Sequence, residues 1–245
     1  FHGGGWHQFD KDSLTRPVFR HLAGQGHVVM DVAYRLHPEA DLIAMVGDAK
    51  RAVAWMKANA RRYDVDPDQI VVAGGSAGGH LALMAAYTPG HPQLTPACLG
   101  DLDASVRAVV AYYPIVDLKS YIAYNDYPTL NLGHFELTSP RGVVPDLVGG
   151  LPAQVPERYD LLSPANHASR ECPPTLLLQA GHDHVVPLEP VRTLYRKLVA
   201  AGVPATYIEY PATEHVFDLV LPHFSPAVLA VWREIDRFLA QVQET

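Results

Sequence analysis

The chain has 245 residues and a mass of 26.8 kDa, enough for one catalytic-size domain to bury a core without help from disulfides or metals. Hydrophobic residues make up 48% and charged residues 18%, and 19 basic against 26 acidic side chains give a formal charge of −7. This composition argues against disorder and against a nucleic-acid-binding polycation, and no apolar run approaches the roughly 18 residues of a membrane span.

Runs rich in branched apolar residues are predicted as buried strands at 28–33, 70–73, 106–112, 175–180 and 206–210. Segments with helical periodicity separate most of these runs. Strands that alternate with helices indicate an α/β fold, with a mostly parallel sheet and helices on both of its faces.

The clearest helical pattern covers residues 42–60. Its apolar residues recur at steps of four and three, so this face is expected to pack on the sheet: Leu42, Val46, Ala49, Val53, Met56 and Ala60. Similar stripes cover 188–198 and 228–238. The second follows Ser225 and Pro226, an N-cap and a proline at the first helical position.

Residues 117–174 break the alternation, with many prolines, glycines and tyrosines and no clear periodicity. A structureless loop of this length is uncommon inside a compact domain, so we predict short helices that serve as a lid or pocket wall over the sheet. The aromatic residues of this insertion suit a pocket wall, and a small core beneath the insertion is the alternative: Tyr121, Tyr124, Tyr127, Phe135 and Tyr159. Residues 1–245 are predicted to form a single domain.

The sequence Gly-Gly-Ser-Ala-Gly-Gly at 74–79 follows the predicted strand at 70–73 and precedes a helical run at 80–87. Strand, G-x-S-x-G and helix in this order are typical of a nucleophile elbow. There Ser76 would occupy a strained turn, and any Cβ at Gly74 or Gly78 would collide across it. A phosphate-binding loop is disfavoured because neither its lysine motif nor the GxGxxG spacing is present.

A second glycine cluster, His-Gly-Gly-Gly-Trp, occupies residues 2–6. Alone it would indicate a flexible turn. Paired with Ser76 it predicts an oxyanion hole for acyl transfer, built from the backbone N–H groups of Gly3, Gly4, Gly5 and Ala77. Trp6 and Gly75 are predicted to line the substrate pocket.

A serine hydroxyl needs a histidine base that is itself held by a carboxylate. Reactive groups in open α/β sheets collect at the carboxyl ends of the strands, so the loops after the last two predicted strands supply Asp183 and His215. The chain order Ser76, Asp183, His215 is the order expected of an α/β-hydrolase. His182, His184 and His223 are competitors for the base. A metal site at residues 182–184 is disfavoured because adjacent residues project differently.

The sequence resembles the hormone-sensitive-lipase-like branch of the α/β-hydrolase family over nearly the whole chain. It lies near the bacterial feruloyl and acetyl-xylan esterase-like group. The matching motifs are HGGGW at 2–6, YRLHPE at 34–39, GGSAGG at 74–79, DHVVP at 183–187 and EHVF at 214–217. The resemblance implies a serine carboxylesterase for short-chain acyl esters, with aryl and carbohydrate esters as further candidates. It would work through Ser76, His215 and Asp183 by way of an acyl-enzyme, without a metal or organic cofactor.

Two features depart from the family pattern. Many lipase-like members carry an acidic residue before the nucleophile and Asn after the last glycine, where this chain has Gly75 and His80. In this it resembles the feruloyl-esterase-like group. Members also have two or three strands before the HGGG motif, whereas only Phe1 precedes it here, so those N-terminal strands are expected to be missing.

Two other functions fit the same fold. An arylformamidase is one, because HGGGW followed by Gln8, Asp10 and Lys11 resembles those relatives. The second is a small-molecule receptor that binds without turnover.

Cys98 and Cys172 are compatible with one disulfide or none, and neither has a metal-ligand spacing. The expected partner is a small-molecule ester, and a homo-oligomer is left open. The location is unknown, with the cytoplasm as the default expectation because the N-terminus is expected to be incomplete.

Overall fold

The computed structural model describes residues 1–100, 102–124, 130–131, 136–137 and 140–243. Its strands are β1 (Val71–Gly75), β2 (Ala108–Tyr112), β3 (Leu130–Asn131), β4 (Glu136–Leu137), β5 (Thr175–Ala180) and β6 (Ala205–Tyr210). The fold centres on a four-stranded parallel sheet in the order β1-β2-β5-β6. Strands β3 and β4 form a separate, two-stranded antiparallel sheet.

Helices cover both faces of the sheet, as predicted. On one face Leu83, Leu177 and Val191 share a hydrophobic cluster, and on the other Val110, Leu178 and Val231 share another. The helices are α1 (Arg16–Gly24), α2 (Leu42–Ala58), α3 (Ala60–Tyr63), α4 (Ala77–Tyr87), α5 (Leu118–Tyr124), α6 (Pro140–Val148), α7 (Pro156–Leu161), α8 (Leu188–Ala200) and α9 (Pro226–Gln243). Among the described helices, none is long and apolar enough to cross a membrane.

The predicted apolar face of α2 is buried throughout. Most of it packs on α4, where Val46 and Ala49 share a cluster with Leu81. Only its C-terminal part reaches the sheet, where Val53 clusters with Val72 of β1. The helix prediction is confirmed over Leu42–Ala58, while Ala60 begins α3. The predicted packing of this face on the sheet is wrong for most of its length, because α4 lies between α2 and the strands.

The predicted strand at 28–33 is wrong. These residues have strand composition, but within the described part of the chain their backbone forms no ladder. A groove of about 350 Å³ separates them from β1, with Val28, Met30 and Val32 on its wall and Val71 across from them. An apolar run forms a strand only where a neighbouring strand lies close enough for backbone hydrogen bonds. The other four predicted strands are confirmed, with ends shifted by at most two residues.

The insertion at 117–174 contains the short helices predicted for it, α5, α6 and α7, and a 3₁₀ turn at Pro164–Asn166. Tyr121 and Tyr159 are buried in a cluster with Trp6, so they form core. Tyr127 and Phe135 lie outside the described residues, and Tyr124 is 46% exposed. A lid function for this insertion, and a single domain over 1–245, stay predictions.

Candidate active site

Ser76 stands at a sharp turn between β1 and α4. Its backbone has φ 55° and ψ −121°, a conformation that non-glycine residues rarely adopt. The turn is fixed on both sides: Ser76 N–H donates to Tyr112 O at 2.9 Å, and His80 N–H donates to Ser76 O at 3.0 Å. The serine side chain is therefore presented at the carboxyl end of β1 and at the N-terminus of α4.

The glycines around Ser76 are required for two different reasons. A Cβ at Gly74 would overlap the carbonyl oxygen of Gly78, as predicted for an elbow. A Cβ at Gly78 would overlap the carbonyl oxygens of Phe1 and His2 instead. Gly78 thus leaves room for the glycine-rich loop at the start of the chain, which the motif alone does not show.

His215 joins Ser76 to Asp183. Its Nε2 is 2.9 Å from Ser76 Oγ and its Nδ1 is 2.9 Å from Asp183 Oδ2. Because an ionised carboxylate only accepts hydrogen bonds, this geometry places the proton of the neutral imidazole on Nδ1 and the lone pair of Nε2 toward the serine. The structure brings all three predicted residues together, from the loops after β1, β5 and β6.

The carboxylate of Asp183 is buried and held from several directions. Its Oδ1 accepts from the backbone N–H groups of Val185 and Val186 at 2.9 and 2.8 Å. Its Oδ2 also accepts from Gln179 Nε2 at 3.1 Å. Asp183 is only 1% exposed, so these donors replace the water that a charged group needs. Gln179 was missed by the sequence reasoning, although a polar residue inside the apolar run of β5 is a signal for such a role.

The competing histidines lie elsewhere. His184 has a highly exposed side chain and its Nδ1 is 2.8 Å from Glu214 Oε1. His223 packs its ring against Trp232 of α9 at 5.8 Å, and the backbone N–H of His182 donates to Thr213 O. Of the histidines considered, His215 is the one that contacts Ser76.

The glycine-rich loop at 3–5 reaches Ser76 through Gly3. A Cβ at Gly3 would stand 3.6 Å from Ser76 Cβ, whereas Cβ atoms at Gly4 and Gly5 would meet Gln8 and His7. Gly4 and Gly5 have φ of 112° and 59°, values that glycine adopts without the strain a side chain would bring. Among the described residues, no backbone carbonyl accepts a hydrogen bond from the N–H groups of Ala77 or of the three glycines.

His2 and Tyr34 anchor this loop, a pairing that the sequence reasoning missed. The two rings stack with centroids 4.4 Å apart. His2 Nδ1 donates to Gly3 O at 2.7 Å, and Tyr34 Oη donates to His2 O at 3.1 Å. Desolvation lowers the pKa of His2 and raises that of Tyr34, so both rings are neutral at neutral pH.

Trp6 lies in the core. It is 1% exposed, and its ring meets His80 and Tyr121 edge to face at 5.3 and 6.2 Å. His80 Nε2 in turn donates to Leu162 O at 2.8 Å, and burial lowers the pKa of His80 to about 4. A substrate-pocket role for Trp6 and Gly75 stays a prediction.

A parallel sheet covered by helices on both faces, with serine, histidine and aspartate meeting at its carboxyl edge, defines an α/β-hydrolase. The chain belongs to the BD-FAE family, whose model matches residues 1–198.

Curated relatives come from Mycobacterium tuberculosis (strain ATCC 25618 / H37Rv). The probable carboxylic ester hydrolase LipM is 33% identical over 99% of this chain and 53% of its own length. The esterase LipQ is 31% identical over 89% of this chain and 49% of its own length. The chain therefore spans about half the length of the curated relatives it matches.

Similar solved structures are forms of esterase 2 from Thermogutta terrifontis. The form phosphonylated by sarin has a TM-score of 0.80 at 24% identity, over 99% of this chain and 82% of that one. The butyrate-bound form has a TM-score of 0.79 at 25% identity, over 99% of this chain and 81% of that one. These likenesses confirm the α/β-hydrolase fold.

Proposed function

We propose that this chain is a serine carboxylesterase that hydrolyses short-chain acyl esters through a covalent acyl-enzyme. The observation that carries the proposal is the position of the His215 ring, whose two nitrogens lie 2.9 Å from Ser76 Oγ and 2.9 Å from Asp183 Oδ2. A neutral imidazole held this way accepts the serine proton, and the resulting imidazolium stays paired with the carboxylate.

In the first half of the reaction Ser76 Oγ attacks the ester carbonyl carbon while its proton passes to His215 Nε2. The carbonyl oxygen gains a negative charge in the tetrahedral intermediate. We assign the stabilisation of this oxyanion to the N–H of Ala77, at the N-terminus of α4, and to the N–H groups of Gly3 to Gly5. Losing one such donor typically raises the barrier by about 3–4 kcal/mol.

Collapse of the intermediate breaks the bond to the alcohol, which leaves with the proton from His215. Water then attacks the acyl-enzyme, His215 takes one of its protons, and the acid leaves as Ser76 Oγ is reprotonated. The chain's own residues supply every proton transfer in this sequence, with Asp183 orienting the ring throughout.

The relatives support the choice of substrate class. LipM and LipQ are named as an ester hydrolase and an esterase, and esterase 2 of Thermogutta terrifontis has been solved with propionate and with butyrate. A short carboxylic acid of that kind is the product that our scheme releases. We therefore place the acyl group of the substrate in the same size range.

A labelling experiment tests the proposal directly. We expect a fluorophosphonate to modify the purified protein once, on the peptide that contains Ser76, and to abolish hydrolysis of p-nitrophenyl butyrate in parallel. The His215→Ala variant should label far more slowly, because its serine lacks a base. Label on another residue, or hydrolysis that survives complete labelling, would overturn the proposal.

A further inference from the structure

Tyr113, the residue after β2, packs its ring against the imidazole of His215. The ring centroids are 4.5 Å apart and the planes meet at 59°. Tyr113 is 2% exposed and has φ 35°, which is a strained conformation for a residue with a bulky side chain. Such strain persists only where the surrounding structure holds it in place, and it concentrates at functional sites.

The hydroxyl of Tyr113 is held by Asp218, three residues beyond His215. It donates a hydrogen bond to Asp218 Oδ1. Asp218 lies in the 3₁₀ turn Phe217–Leu219, so this bond ties the end of β2 to the short segment that carries His215. Phe217, from the same turn, meets the Tyr113 ring edge to face at 6.2 Å.

The nucleophile side of the site contacts the same ring. A Cβ at Gly75 would stand 3.2 Å from both Tyr113 Cε2 and Tyr113 Oη. Because Gly75 has no side chain, the ring of Tyr113 occupies the space next to the residue that precedes Ser76. One aromatic ring thus lies between the residue before the nucleophile and the histidine that contacts it.

The bond between Tyr113 and Asp218 is charge-assisted at neutral pH. Desolvation raises the pKa of Asp218 to about 6, and the Tyr113 hydroxyl and the nearby His215 oppose that rise. Above that pH the carboxylate is ionised and holds the phenol with a bond stronger than a neutral pair would form.

We propose that Tyr113 and Asp218 are a positioning pair for His215: the carboxylate fixes the phenol, and the phenol ring keeps the imidazole aligned between Ser76 and Asp183. This inference rests on the proposed esterase function. The Tyr113 hydroxyl is engaged by Asp218, so the pair acts on the reaction through the His215 ring. Their effect is to restrict rotation of the imidazole, on which the two 2.9 Å contacts of His215 depend.

A role in packing alone makes a different prediction. Tyr113 also belongs to a hydrophobic cluster with Tyr210 and Phe217, and Tyr113→Phe keeps the ring in that cluster. Packing alone would leave turnover unchanged in this variant. If the two residues position His215, Tyr113→Phe removes the hydrogen bond that holds the ring, so turnover falls while substrate binding is preserved.

The experiment measures kcat and KM for p-nitrophenyl butyrate at pH 8 in four variants. For Tyr113→Phe and Asp218→Leu we expect kcat to fall about 10-fold with KM within about twofold of wild type. Asp218→Asn, which keeps an acceptor oxygen, should recover most of the loss. Tyr210→Phe is the matched control, because its hydroxyl is buried with no hydrogen-bond partner among the described residues.

The double variant Tyr113→Phe/Asp218→Leu separates a pair from two independent residues. We expect its kcat to equal that of the less active single variant, since the first change already removes the hydrogen bond between the two residues. The inference would be overturned if the loss of kcat in the double variant equalled the product of the two single losses. A kcat near wild type in both single variants, or a loss confined to KM, would also overturn it.

A measurement without substrate keeps the test independent of the proposed function. The proton on His215 Nδ1, identified by its loss in His215→Ala, should exchange faster or broaden in the Tyr113→Phe NMR spectrum and remain as in wild type in Tyr210→Phe. An unchanged signal in Tyr113→Phe would overturn the positioning pair even if no ester were hydrolysed. Wild-type hydrolysis with an unchanged Tyr113→Phe variant would overturn it while leaving the esterase proposal intact.

Discussion

The backbone of Gly74 lies directly against that of Gly78. A Cβ on Gly74 would overlap the Gly78 carbonyl oxygen and stand 2.9 Å from the amide nitrogen of Gly79. We predict that Gly74→Ala lowers the free energy of unfolding by about 2–3 kcal/mol, because backbone cannot move aside as a flexible side chain can. Urea unfolding measures this loss, and ester hydrolysis should fall with it because the turn that presents Ser76 is displaced.

Gly90→Ala is the matched control for that change. No atom lies within 4 Å of a Cβ at Gly90, so stability should stay within about 0.5 kcal/mol of wild type. Equal stability of the two alanine variants would contradict the close approach of Gly74 and Gly78.

The second prediction concerns the nucleophile. Ser76→Ala should lower kcat for p-nitrophenyl butyrate by at least about 1,000-fold, because no acyl-enzyme can form. The Tm should stay within about 3 °C of wild type, since the side-chain bond lost, as far as the structure describes the chain, is the one to His215. Ser105→Ala, a change at a surface serine that contacts Lys57, serves as the control and should retain full activity. A folded Ser76→Ala protein with wild-type turnover would place the nucleophile elsewhere.

A third prediction concerns stability in acid. His80 is fully buried and its pKa is lowered from 6.5 to about 4, mainly by desolvation. The unfolded chain therefore binds a proton between these values that the folded chain does not. The contribution of neutral, buried His80 to the free energy of unfolding is present in full above pH 6.5. It is lost as the pH falls from 6.5 towards 4. The loss from His80 alone is about 2–3 kcal/mol at pH 4.5.

The measurement compares urea unfolding at pH 7 and pH 4.5 in wild type and in His80→Gln. The glutamine amide keeps a donor for Leu162 O and cannot be protonated, so the variant should lose about 2–3 kcal/mol less on acidification. His223→Gln, at an exposed histidine, should lose as much as wild type. The same acid loss in His80→Gln as in wild type would show that His80 does not carry this dependence.

The sequence predicted the elements whose local pattern agrees with their packing. The apolar run at 175–180 is buried at every position as β5, and the periodic face of α2 is buried throughout. The run at 28–33 is also mostly apolar, but within the described residues no neighbouring strand forms backbone hydrogen bonds with it. Strand formation depends on a partner from elsewhere in the chain, and a local pattern does not report that partner.

In the site, too, the features set by local pattern could be predicted and those that depend on distant contacts could not. Ser76, Asp183 and His215 follow from motif, chain order and the rule that strand ends meet, and the structure brings them together. The pattern HGGG does not reveal that Gly3 lies beside Ser76 while Gly4 packs against Gln8, because these contacts depend on how the loop folds. Nor does it reveal that Tyr113 contacts His215, since the two are 102 residues apart in the sequence and meet only through the order of the strands.

The last prediction concerns the length of the acyl group. Tyr124, at the end of α5, donates its hydroxyl to the carbonyl oxygen of Asp183 at 3.0 Å. The insertion at 117–174 therefore reaches the loop that carries Asp183, where it can limit the room for substrate. Each added methylene contributes about 0.8 kcal/mol of binding only while there is space to bury it.

We therefore expect kcat/KM for p-nitrophenyl esters to be highest from acetyl to hexanoyl and to fall beyond about ten carbons, where binding would require the insertion to move. Tyr124→Phe removes the bond to Asp183 O, so its optimum should shift toward longer chains. Tyr63→Phe, at a partly exposed tyrosine of α3, should leave the optimum unchanged. A kcat/KM that keeps rising to palmitoyl esters in the wild-type protein would refute a short-acyl preference, because it requires an open groove that the insertion does not close.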